Sequence, residues 1–96
     1  MKAHRYRVTV EHLATPKGEP VVESPLVFET TNHDDLFAIV ERMRKRTDIP
    51  GQDVESLAIG LKLLSEVVLK HRKLPMFVPL HQAIGEFIVQ LKGGSA

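Results

Sequence analysis

The stretch TTNHDDLFAIVER, Thr30 to Arg42, decides the fold, because the hydrophobic period changes inside it. Upstream, apolar residues recur at every second position, as in a strand. Downstream, Leu36, Ile39, Val40 and Met43 recur at helical spacing. Between the two lie an amide, an imidazole and two carboxylates: Asn32, His33, Asp34 and Asp35. Four consecutive residues point around a helical turn and do not converge on one ion without distant partners, so the cluster reads as helix-start chemistry, not a metal site. Asn32 is a favoured N-cap, and Asp34 and Asp35 then fall in the first turn, where the helix dipole favours negative charge.

Working back from this switch, His4 to Leu13 alternate, with Tyr6, Val8, Val10 and His12 on one side and Arg5, Arg7, Thr9, Glu11 and Leu13 on the other. Ala14 to Pro20 is turn chemistry, and Val21 to Thr30 resumes extended character. A loop at Lys17, Gly18 and Glu19 sets Val10 opposite Leu26 and Val8 opposite Phe28. The alternative two-residue loop sets Val10 opposite Pro25, so the apolar match selects the first register.

Working forward, the first helix ends in Arg42, Arg44, Lys45 and Arg46, complementary to its C-terminal dipole, before Thr47 to Gly51 breaks the pattern. A second helix runs from about Asp53 to Arg72 and stops before Leu74-Pro75. Val54, Leu57, Ala58, Leu61, Leu64 and Val68 form its apolar face, and Leu63 and Val67 extend that face well round the cylinder. Glu55, Lys62, Glu66 and Lys70 make a narrow charged stripe. A helix apolar over so much of its circumference needs cover on several sides, which makes it the central helix, and Gly60 and Ser65 permit close approach of a neighbour. Met76-Phe77-Val78 reads as a connector and Pro79 suits the first turn of a third helix. That helix buries Leu80, Ile84, Phe87, Ile88 and Leu91 and ends at Gly93-Gly94.

The expected fold is therefore α+β: an antiparallel β-hairpin followed by three α-helices, one domain over residues 1–92 with a flexible tail at 93–96. The chain has 96 residues, 43% hydrophobic and 26% charged, which suits one self-sufficient core. It has no cysteine, so disulfides, thiolate metal sites and thiol nucleophiles are excluded. Met1 to Arg7 lacks the apolar region of a signal peptide, and no apolar run approaches the ~20 residues that span a bilayer, so the expected location is the cytoplasm, away from membranes. A net charge of +1 gives no global attraction to nucleic acid or anionic lipid.

The segments HRYRVTVEHL, PLVFE, NHDDLFAIVER, GLKLLSEVVL and GEFIVQLK together resemble a family of short bacterial proteins that carry a domain of unknown function. The likeness covers nearly the whole chain. It implies a free-standing bacterial protein and transfers no catalytic residue, cofactor or partner.

The residues themselves nominate no catalytic group, no cofactor site and no metal site. The five histidines lack His-x3-His and His-Glu-x-x-His spacings. His4 and His12 share a strand face but stand roughly 26 Å apart. No P-loop, nucleophile elbow or dinucleotide-binding glycine pattern occurs. The leading reading is a non-catalytic interaction module that forms a homodimer, with a further protein partner left open. Its expected contact is the proline-free edge Arg5, Tyr6, Arg7, Val8, Thr9, Val10 and Glu11. Paired antiparallel about Val8, this edge sets Arg5 against the partner's Glu11. The second reading is a nucleic-acid module using Arg42, Arg44, Lys45 and Arg46. It is disfavoured by the absence of tryptophan and by the single tyrosine, which leave no stacking platform. A third places a small-ligand or enzymatic site around His12 and His33.

Overall fold

The computed structural model describes Lys2 to Gly93 and shows an α+β chain of two strands followed by three helices. Of the tail expected at 93–96, Gly93 closes the last helix and 94–96 lie outside the described residues. Two compact units divide between His33 and Asp34.

The first unit is the hairpin. Strand β1, His4–Val10, pairs antiparallel with β2, Leu26–Asn32, in the register that sets Val8 against Phe28 and Val10 against Leu26. The apolar match thus selects the right ladder. The turn differs. The Thr15 N–H donates to the Glu19 carbonyl (2.8 Å) and the Gly18 N–H donates to the Thr15 carbonyl (2.9 Å), so the loop is Pro16, Lys17 and Gly18, one residue earlier than expected. Proline presets the first corner and Gly18, at φ +85°, supplies the left-handed position that closes such turns. Because this tip register differs from that of the ladder, the surplus is taken up between Val21 and Pro25, where the chain is irregular and β1 has already ended. Arg5 and Arg7 both donate to the Glu29 carboxylate at 3.1 Å, which ties the exposed face of the ladder.

The second unit is helical. Helix α1, Leu36–Met43, is capped by Asp35, whose carboxylate accepts from the backbone N–H groups of Phe37 (3.0 Å) and Ala38 (3.3 Å). This corrects the assignment of the cap to Asn32, which is the last residue of β2 and is 2% exposed. Asn and Asp cap equally well, and ladder pairing of Asn32 with His4 holds the chain extended long enough for the last candidate to win.

Helix α2, Val54–Lys70, follows a short 3-10 turn at Gly51–Asp53. Val54 and Ala58, each 1% exposed, pack with Val40 and Met43 of α1, with Ile39, Ile49, Leu57 and Ile59 around them. Two parts of the expected wheel are overturned. Leu64, placed in the core, is 47% exposed, and Glu66, placed on the solvated stripe, is 8% exposed. A helix apolar around most of its circumference does not fix its own rotation. The small Val54 and Ala58 against α1 fix it and turn positions 62 and 66 inward. Lys62, 18% exposed, pairs with Asp34 at 2.8 Å.

A second 3-10 turn, Pro75–Phe77, stands where a connector was expected and leads into α3, Val78–Gly93, with Pro79 in its first turn. Leu80, Ile84, Ile88 and Leu91 of α3 are half-buried and Phe87 is exposed, so the expected face exists but none of it is fully covered. Among the described residues, no helix is long and apolar enough to cross a membrane.

Two stability predictions follow from this packing. Asp35→Ala lowers the unfolding free energy by about 0.5–2 kcal/mol in urea melts, because it removes the acceptor for two first-turn N–H groups. Val68→Ala costs about 1–3 kcal/mol and Leu64→Ala about 1 kcal/mol or less, the reverse of what side-chain size alone gives. Equal losses in the same melts would contradict the rotation of α2 seen here.

Candidate functional site

The three places nominated by sequence differ in how their residues are held. In the described sheet, which has two strands, the outer edge of β1 faces no further strand. Tyr6 and Val8 are half-buried, Val10 is exposed, and Glu11 lies just past the end of the ladder, so the outermost expected contact, Arg5 with the partner's Glu11, falls beyond regular strand. Arg5 is also drawn to Glu29 within its own hairpin.

The basic cluster at the end of α1 is half neutralised. Arg44 reaches Glu41 (2.6 Å) and Glu55 (2.8 Å). Arg46 donates through Nε and a terminal nitrogen to both oxygens of Asp48, and through its other terminal nitrogen to the Leu91 carbonyl near the end of α3. Its side chain is only 11% exposed, so it is a staple between the α1–α2 connection and α3, not a free cation. Arg42 and Lys45 remain exposed. Sequence spacing gave no signal for the staple, because the acceptor on α3 is a backbone carbonyl.

His12 and His33 are not brought together. His12 stands near the turn, 3.4 Å from Glu23, whereas His33 follows β2 at the opposite end of the ladder, over ~20 Å away along the strands. Both are exposed. Among the described residues no three His, Asp or Glu side chains are grouped as ligands for a metal ion.

What the sequence missed is the helical surface. An open cleft of about 700 Å³ lies between α2 and α3, floored by Ile49, Leu57, Phe87 and Leu91 and rimmed by the Arg46–Asp48 pair. Beyond it α2 carries Leu64 and Val67, each close to half exposed, and α3 carries exposed Val78 and Val89. This surface is largely apolar, and Arg46, at the rim of the cleft, is paired with Asp48.

Residues 4–93 match the family model of a domain of unknown function with a solved structure, DUF3861. The chain belongs to that family. It is similar to a protein of unknown function from Pectobacterium atrosepticum, seen in a crystal structure, with 31% sequence identity and a TM-score of 0.79 over 95% of this chain and 98% of that one. No curated protein matches the chain.

The titrations here report structure. Arg5 and Arg7 hold the Glu29 carboxyl below the usual carboxylate range through their hydrogen bonds, and Arg46 does the same to Asp48. Both carboxyls therefore bind protons less readily folded than unfolded. Their contribution is present above the unfolded carboxylate range and is lost as the pH falls through the lower folded values. Melting temperatures recorded from pH 7 down to about 3, spanning ordinary carboxylate titration, fall in the wild type and fall less steeply in Glu29→Gln and Asp48→Asn. Added salt shrinks the difference more for Glu29, whose arginine partners sit in water, than for Asp48, whose partner Arg46 is largely covered.

Proposed function

We propose that this chain is a non-catalytic interaction module of the bacterial cytoplasm that works as a homodimer. The observation that carries the reading is the unfinished helical unit: α3 contributes no fully buried residue, while α2 and α3 hold Leu64, Val67, Val78, Phe87 and Val89 at the surface. Of these, Leu64 and Val67 are neighbours on one side of α2, and grouped apolar side chains left in water are where contacts form. The pairing of Arg44 and Arg46 with carboxylates removes two of the four cations on which nucleic-acid binding would depend, which favours a protein contact over a phosphate backbone. A bacterial setting is supported by the similar Pectobacterium protein, and a reducing compartment by a chain without cysteine.

Sedimentation equilibrium from about 5 µM to 0.5 mM tests this, a span that covers the weak end of specific association. The apparent mass is expected to rise from one chain toward two across the range. A mass that stays at one chain throughout removes the reading.

A further inference from the structure

We propose that the outward face of α2 is a homodimer seam, in which two copies pair antiparallel with Gly60 at the point of closest approach. This rests on the homodimer reading and names its contact. Asp53, Ser56, Gly60, Leu64, Val67 and His71 follow one another at spacings of three and four residues, so they line one side of the helix. All six are exposed, and the four within the helix body carry no charge, whereas the solvent face of a helix is ordinarily where charges collect.

Gly60 sharpens the point. Glycine in mid-helix weakens the helix, and here nothing in the chain requires it: a Cβ at Gly60 would meet no atom within 4 Å. The surface at Gly60 is thus open, as it is at Gly85 of α3, and Gly60 differs in lying between Ser56 and Leu64 on an uncharged face where a second helix can come near.

Charge names the occupant. The N-terminal end of α2 carries Asp53 on this face, Glu55 being turned away and held by Arg44, and its C-terminal end carries Lys70, His71, Arg72 and Lys73. A two-fold axis midway between Gly60 and Leu64 sets Gly60 against the partner's Leu64 and Asp53 against the partner's His71. The acidic end of each copy then meets the basic end of the other. A second copy of this chain thus satisfies both the apolar centre and the charged ends, with helix dipoles opposed. A seam about 25 Å long and one helix wide is small for a specific interface, below ~1,200 Å² in total, so the association is weak and concentration dependent.

The test is sedimentation equilibrium of the full chain for wild type, Leu64→Glu, Gly60→Ala and Thr9→Pro, with melting of each at low concentration. Leu64 is half exposed, so its replacement leaves the fold intact. Leu64→Glu and Gly60→Ala are each expected to raise the dimer Kd by roughly tenfold or more, while Gly60→Ala melts higher than wild type when dilute because the helix gains alanine. Wild-type affinity in both variants overturns the seam. If in addition Thr9→Pro abolishes the dimer, assembly runs through the β1 edge, and the homodimer reading stands without this contact. A wild type that remains monomeric at about 0.5 mM, where even weak specific dimers form, overturns both.

Discussion

The contact of Val54 and Ala58 with Val40 and Met43 sets the rest of the helical unit. Two small side chains one turn apart let α1 lie close against α2, and at 3.6 residues per turn that contact fixes what every other position of α2 faces. Positions 62 and 66 turn inward, and positions 56, 60, 64 and 67 turn to solvent. Two consequences look wrong from composition alone: a carboxylate is buried at Glu66 and a leucine is half bare at Leu64. Both follow from packing small residues first. A buried polar group is tolerable when it has partners, and Glu66 and Lys62 both have them.

Electrostatics then serves the fold more than it serves a ligand. Arg46 spans Asp48 and the Leu91 carbonyl, Arg44 spans Glu41 and Glu55, and Arg5 and Arg7 converge on Glu29. In each case a guanidinium joins segments distant in sequence or adjacent strands, a use its planar fork of donors suits. A basic cluster counted along the sequence therefore overstates the positive charge offered to a partner, because the carboxylates that cancel it lie elsewhere in the chain.

The order of elements, the ladder register and the apolar side of α1 were legible, because each depends on a period or pairing written in neighbouring residues. The cap was misplaced among Asn32, Asp34 and Asp35 because local preference ranks these residues alike, and the choice lay with the pairing of Asn32 opposite His4. The rotation of α2 was not legible. Its apolar residues extend too far round for periodicity to choose a direction, and the deciding feature was the smallness of Ala58, which a hydrophobic pattern undervalues. Of the candidate site, Gly60 was expected to let a neighbour come close, and among the described residues no atom outside its own helix backbone stands within 4 Å of where its Cβ would lie.

The magnitudes explain why orientation in the proposed pair depends on the ends of α2 and not on its centre. Covering roughly 400 Å² of apolar surface gives about 10 kcal/mol at ~25 cal/mol per Å². Association costs about 4–15 kcal/mol in lost translational and rotational freedom. The apolar centre alone thus leaves a balance near zero and does not distinguish parallel from antiparallel copies, since Leu64 and Val67 find apolar neighbours either way. The ends do distinguish them. A parallel pair sets Asp53 beside its own kind and Lys70 to Lys73 beside theirs. An antiparallel pair sets each end against its opposite. Like charges in contact cost and opposite charges gain, so a seam too small to select its own geometry has it selected by charges sorted to the two ends of one helix.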